Sequence, residues 1–383
     1  MDLQLSDDQT LFDETTARFL DTSCPVATVR EWAEKEPAGY PREWWLRGSE
    51  LGWTSLLVPE DDGGGSVSGH GLLDLVLVAE EMGRRVSPGP LLPTNLVASA
   101  LAASGTAEQR RADLPGIISG ETIATWCLTE PSSAWDEVRM EAVAGAEGFV
   151  LHGSKGPVEA AAESDRLLVA ASVDGAPTHF LVDPGTPGVT VTPVHSLDLV
   201  RRFATVSFDR VAVPASAVLG EVGGAAAEIE RLLQVAAVLQ CAEMAGAADR
   251  MLGSTVEYAF DRYSFGRPLA SYQALKHRFA DLKLWTEACL ATAQSAAGAV
   301  ARGSERASEL VSVAKSYVGD HAPVILQDCV QLQGGIGVTW DHDLHLYLRR
   351  AVQDSVLFGT PAEHRERIAD TLGLHTAGEG PRG

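Results

Sequence analysis

Arg262 and Gln273 lie on opposite sides of a chain break at Gly266 and Pro268. Glycine allows the backbone angles that a sharp turn needs, and proline fixes its own φ and ends a helix. The stretch therefore reads as the end of one helix, a bend, and a second helix beginning near Ser271. A guanidinium and an amide displayed around such a corner suit a phosphate-bearing ligand, because arginine offers a rigid fork of donors to phosphate oxygens. The alternative is a helical hairpin in which Arg262 pairs with Asp261 or Glu257. Further along, Gln331-Leu-Gln-Gly334-Gly335-Ile-Gly337 would let backbone approach a flat ligand closely, or would simply end a helix at Gly334.

Three kinds of segment must position these residues. Residues 1–119 carry helical signals: the N-cap pattern Ser6-Asp-Asp-Gln, then apolar residues at Leu11, Phe12, Ala17, Phe19 and Leu20. Further helices are expected over Pro25–Lys35, Glu43–Gly52, Gly71–Gly83, Leu96–Ser104 and Ala107–Asp113, with Pro88–Pro93 as an irregular link. Residues 120–222 hold short β-rich runs broken by Gly, Pro and Asp, alternating clearly in Phe203-Ala-Thr-Val-Ser-Phe-Asp-Arg-Val. That pattern predicts an antiparallel barrel or sandwich, not βαβ units. Residues 223–375 predict long antiparallel helices of a four-helix-type bundle, and residues 376–383 a disordered tail. The fold class is thus mainly α with a central β-domain.

With 383 residues, 45% hydrophobic and 21% charged, the chain has the composition of a soluble globular protein. No apolar run approaches membrane-span length, and the first residues carry no signal-peptide pattern, so a cytoplasmic location is the default. The net charge of −22 argues against nucleic acid or an anionic membrane as partner. Five scattered cysteines, none in a Cys-x-x-Cys pair, suggest neither a disulfide framework nor zinc. His342 and His345 share a helix spacing but have no third ligand, so no metal is expected.

In this frame the chain resembles the acyl-CoA dehydrogenase family along essentially its whole length. The marks are Arg262-x-x-Phe265-Gly266 with Gln273, Thr129-Glu130-Pro131, Gly153-Ser-Lys155 and Gln331–Gly337, in that family's order. The resemblance implies FAD, held between the β-domain and the bundle of a tetramer. Arg262 and Gln273 would contact its pyrophosphate region and Phe265 would pack on it, serving the neighbouring subunit's cofactor. Gln331, Gly334 and Gly335 would approach the adenine half. Trp126, Leu128 and Thr129 would lie along the isoalloxazine, which Thr360 would also touch. The implied reaction is α,β-dehydrogenation of an acyl-CoA thioester, with electrons passed to an electron-transferring flavoprotein. It needs a carboxylate over the α-carbon with a pKa near working pH, while the cofactor performs the redox step.

The sequence departs from the family where that carboxylate should be. Phe358 precedes Gly359-Thr360 in place of the commonest glutamate, and Ala236 stands at the second known location. Glu243, two helical turns beyond Ala236, shares a face with Ile229, Leu233, Gln240, Ala247, Met251 and Tyr258. Burial there would raise a carboxyl pKa toward that of a base, or Glu243 would pair with a basic residue across the bundle. The catalytic role is expected of Glu243. Pro157 and Glu159 replace an aromatic and a threonine near the flavin, and Trp135 could supply part of the lost aromatic surface. Asp198-Leu-Val-Arg201-Arg202 and the segment around Arg349-Arg350 are similar to a bacterial branch acting on bulky, steroid-type acyl-CoAs. Some of those enzymes are heterotetramers of two related subunits, so the alternative is a non-catalytic or half-site partner subunit. Small residues along the Glu243 helix would either make room for a bulky acyl group or permit close helix packing.

Overall fold

The computed structural model describes residues 5–145 and 147–374; the expected tail at 376–383 lies outside them. Six helices come first: α1 (Asp7–Ser23), α2 (Val26–Lys35), α3 (Arg42–Glu50), α4 (Gly71–Arg84), α5 (Leu91–Ser104) and α6 (Ala107–Ile118). Ser6 and Thr106 close capping boxes with Gln9 and Gln109, satisfying amide donors that each first turn would otherwise leave free. The segment expected to be a link already belongs to α5 from Leu91. Pro93 falls in the first turn, where a missing N–H costs no intrahelical bond.

The middle strands are β1 (Ala124–Cys127), β2 (Glu141–Ala144), β3 (Gly148–Glu159), β4 (Arg166–Val173), β5 (Ala176–Val182), β6 (Val189–Val194), β7 (Phe203–Pro214) and β8 (Val218–Leu219). They form one eight-stranded sheet in the order β6-β7-β3-β2-β4-β5-β8, with β1 beside β4. The expectation of a purely antiparallel sheet needs correction, because β1 and β2 both pair parallel to β4. The excursion through residues 128–165 is long enough to bring β4 back alongside β1 in the same direction, which no hairpin could do. A separate core that includes Leu151, Phe180, Val206 and Phe208 lies on this sheet.

Helices α7 (Ala226–Asp261), α8 (Gln273–Ala301), α9 (Ala307–Gln333), α10 (Leu344–Val356) and α11 (Pro361–Thr371) complete the described chain. α7 is the central member, apolar on nearly every face and buried at 21 positions from Ile229 to Ala259. Its small residues serve close packing. A Cβ on Gly246 would lie 2.2 Å from the carbonyl oxygen of Glu80 in α4, and one on Gly83 would lie 2.1 Å from that of Glu243. The two backbones touch here, and only glycine permits it. All five cysteines are free and buried. Among the described residues no helix is long and apolar enough to cross a membrane.

Candidate active site

The motif residues fall into two places. The first is a cleft where β1 and β3 meet α5 and the turn after α10. Its walls include Trp126, Leu128 and Thr129 on one side, Leu92 and Leu96 on another, and Phe358. Phe358 stacks on Trp126, with centroids 6.3 Å apart and planes at 17°. The indole N–H of Trp126 donates to Nε2 of His179 at 3.1 Å. His179 is neutral there, its pKa pushed down to about 3 by burial and then by the Lys155 charge. The open volume between these residues is about 30 Å³.

Thr129-Glu130-Pro131 and Gly153-Ser-Lys155 prove to be two halves of one scaffold. The Lys155 ammonium, with no solvent exposure, donates to Glu130 Oε1 at 2.5 Å and to the Leu128 carbonyl at 3.0 Å. Glu130 Oε1 also accepts from the amides of Arg139 and Met140, and the Gly156 amide donates to the Thr129 carbonyl at 2.8 Å. The pair therefore fixes the strand end that forms the cleft wall. Glu130→Gln leaves a buried ammonium without its counter-charge. The expected cost is about 3 kcal/mol or more, read as a lowered thermal midpoint, and a Glu130→Leu/Lys155→Met double variant should recover part of it.

The second place is the corner between α7 and α8. Tyr263-Ser264 pairs with Arg267-Pro268 as a minimal hairpin. Phe265 and Gly266 at its tip both have positive φ, as a two-residue I′ turn requires. The bend is therefore a β-turn, and α8 begins at Gln273 itself. The turn pushes the Phe265 ring outward until it is 97% exposed. Arg262 and Gln273 are exposed as well. Among the described residues Arg262 has no carboxylate partner, which removes the pairing with Asp261 or Glu257. Gln331, Gly334 and Gly335 sit exposed at the end of α9. That end is tied to α7 by the Gln333 amide, which donates to the Thr255 hydroxyl at 2.9 Å. A Cβ on Gly334 or Gly335 would meet nothing of this chain within 4 Å; the φ of 68° at Gly334 by itself favours glycine, whereas only a ligand or a neighbouring chain could require the smallness of Gly335.

Thr360 has a local duty. Its hydroxyl caps α11, accepting from the Glu363 amide and donating to the Glu363 carboxylate at 2.7 Å.

Glu243 is the residue whose setting differs most from expectation. It does not line the cleft. One carboxylate oxygen takes a guanidinium of Arg201 and the other a guanidinium of Arg350. A carboxylate with both oxygens in charge-assisted bonds is not the under-partnered group on an apolar stripe that a poised base requires. The Arg350 bond is the pairing across the bundle named as the alternative, and Arg201 adds a second cation from the β6–β7 connection. The cluster continues outward. Arg350 also binds Asp198, and Arg201 reaches Asp354 at 2.9 Å and Glu159 at 3.4 Å. Lys315 donates to Gln240 at 2.7 Å and to the Asp354 carbonyl. Burial opposes ionisation of Asp198, but Arg350 and Arg201 together hold its carboxyl below the ordinary value. Burial pushes Asp354 up to about 7. Arg201 and Arg350 have no evident role in the sequence alone. The available signal was a set of charged residues, Lys315 and Asp354 among them, interrupting otherwise apolar helix faces.

Comparison with known proteins accords with this architecture. The acyl-CoA dehydrogenase N-terminal domain model matches residues 6–121, and the C-terminal domain model matches residues 223–373. The acyl-CoA dehydrogenase IpdE2 of Mycolicibacterium smegmatis is 30% identical over 365 residues, covering 95% of this chain and 98% of that protein. Among solved structures, the ChsE4-ChsE5 complex of Mycobacterium tuberculosis aligns at 27% identity and a TM-score of 0.88, over 98% of this chain and 100% of that one. A chain of the Tcur3481-Tcur3483 steroid enzyme aligns at 28% and 0.86, over 96% and 98%. The chain belongs to the acyl-CoA dehydrogenase family, whose cofactor is FAD. The exposed guanidinium, ring and glycine backbone at the α7–α8 corner fit such a dinucleotide.

Proposed function

We propose that the protein removes hydrogen from the α,β positions of an acyl-CoA thioester and passes the electrons to an electron-transferring flavoprotein. The observation that carries this reading is the cleft itself. Thr129, Leu128 and Trp126 line it together with the apolar Leu92, Pro93 and Leu96, the mixture of residue types that an acyl chain laid beside a polar-edged ring requires. Bound FAD would supply the oxidant that takes the hydride equivalent from the β-carbon. The residues of this chain position that ring, exclude water and remove the α-proton. Arg262 and Gln273 would hold the pyrophosphate, and Gln331, Gly334 and Gly335 the adenine half. Because Phe265 and Arg262 point away from their own chain, the cofactor would be shared with a second chain, in keeping with a tetramer of like or related subunits. Similarity to a chain in a solved structure of the electron-transferring flavoprotein of Acidaminococcus fermentans, at 26% identity and a TM-score of 0.89, supports this choice of electron acceptor.

Tightness of the cleft supports a second reading. With Phe358 on Trp126 and Glu159 in place of a neutral hydroxyl, the chain would serve as one subunit of a heteromeric dehydrogenase. Purification alone separates the two. The first reading predicts a yellow protein that loses its visible flavin band when an acyl-CoA is added without oxygen and recovers it with the flavoprotein acceptor. A colourless, inert chain that gains both properties only with a related subunit would establish the second.

A further inference from the structure

We propose that His179 is a positioning residue of the cleft: by accepting the indole N–H of Trp126 it fixes the plane of the ring that walls the site. The inference rests on the acyl-CoA reading above. Trp126 is the largest side chain of that wall. Tryptophan has a single polar atom, a donor, and in Trp126 it is directed to His179 Nε2 at 3.1 Å. The two rings meet edge to face, 6.1 Å apart at 73°, while the face of the indole is left to Phe358. Held this way, the donor is not available to the carbonyl oxygens of a bound ring or thioester.

Strand register places the pair. Trp126 in β1 stands beside Leu168 of β4, and His179 in β5 stands beside Ala170 of the same strand. Leu168 and Ala170 point to one face of β4, the face that packs on the helical core, so indole and imidazole emerge on the same side of the sheet. Ala170 carries only a methyl group, which leaves the imidazole room to lean toward the indole. The tautomer follows from the bond. Nε2 accepts, so the neutral ring carries its proton on Nδ1. Burial, and then the Lys155 charge, keeps the ring neutral, so the acceptor is present at any ordinary working pH. His179 has no solvent exposure, and its Nδ1 has no hydrogen-bond partner among the described residues. An orphaned buried donor costs stability, and an apolar side chain in its place would avoid that cost. What the histidine supplies in return is an acceptor aimed at Trp126, and the structure that acceptor serves is the cleft wall.

The test compares two variants of the holoprotein: His179→Leu, which removes the acceptor, and His179→Gln, whose amide oxygen can replace Nε2. The first readout is the nuclear magnetic resonance signal of the Trp126 indole N–H, assigned by its absence from Trp126→Phe. A hydrogen-bonded indole proton resonates downfield, so the signal should move upfield in His179→Leu and stay near its wild-type position in His179→Gln. The second is flavin bleaching by an acyl-CoA. The rate at saturating acyl-CoA should fall roughly ten- to a hundredfold in His179→Leu, as a small misplacement in a reacting site does. The half-saturating concentration should change little, and His179→Gln should recover part of the rate. Thermal stability separates positioning from structure. His179→Leu exchanges one orphaned buried donor, Nδ1–H, for another, the indole N–H, so its midpoint should stay close to that of wild type. A midpoint well below wild type, with bleaching reduced only in step with the folded fraction, would show the pair to be structural and overturn the proposal. Wild-type bleaching in His179→Leu would overturn it too. If His179→Leu does not fold, His179→Met takes its place under the same criteria. Wild type that no acyl-CoA bleaches, alone or with a related subunit, would instead overturn the acyl-CoA reading, a failure seen before any substitution is made.

Discussion

Arg350→Met is expected to cost about 3–5 kcal/mol of stability, the largest single-residue effect in the molecule. Arg350 is 1% exposed and binds Asp198 and Glu243 at once, with the Ser87 carbonyl as a further acceptor. Methionine fills comparable volume but leaves two buried carboxylates short of a counter-charge. Both retain some support, Glu243 from Arg201 and Asp198 from the Val200 amide at 2.7 Å, which keeps the expected loss within that range. The sign of the pH dependence follows. Arg350 is the main group holding the Asp198 carboxyl below its ordinary value, so without it Asp198 binds a proton more readily in the folded state, and the deficit should shrink toward acidic pH and grow toward alkaline pH. Arg349→Met is the control, since Arg349 has only a 3.4 Å bond to the Leu197 carbonyl and should change stability by less than about 0.5 kcal/mol. Thermal midpoints across a pH series check both; equal midpoints for the two variants would show that the cluster is not a structural keystone.

Arg262→Ala is expected to weaken FAD binding by roughly ten- to a hundredfold, the value of about 1.5–3 kcal/mol for a charged hydrogen bond, while leaving the fold intact. The side chain is exposed and has no carboxylate partner among the described residues, so its removal breaks no internal bond. Equilibrium binding of FAD to apoprotein measures the effect, and light scattering confirms that the subunits remain together. Unchanged affinity with unchanged assembly would remove Arg262 from the cofactor site. Asp261→Ala serves as the control for the surrounding charge and should leave affinity unchanged or slightly improved.

Local periodicity made most of the frame legible. Helices α1 to α4 and α7 to α11, and the strand-rich middle, follow from apolar spacing and turn residues. Parallel pairing of β1 with β4 did not, because register between strands forty residues apart leaves no local signature. The α7–α8 corner was legible as a bend, yet the two positive φ values that make it a hairpin follow only from pairing of Tyr263-Ser264 with Arg267-Pro268. The setting of Glu243 was least legible. Its two partners lie 42 and 107 residues away in sequence, and the helical face on which it sits says only that the carboxylate is buried. Glu159 was visible as a departure, a carboxylate where a hydroxyl was expected. Its buried setting beside Arg201 depends on the end of β3 meeting the β6–β7 connection, and the charges behind it on α7, α9 and α10 as well.

Anaerobic titration of the purified protein with a panel of acyl-CoAs, followed by its visible spectrum, tests the central claim most directly. The account predicts an oxidised-flavin spectrum that bleaches with at least one acyl-CoA while the matching enoyl-CoA forms in equal amount. A flavin-loaded protein that no acyl-CoA reduces, alone or with a related subunit, would contradict it.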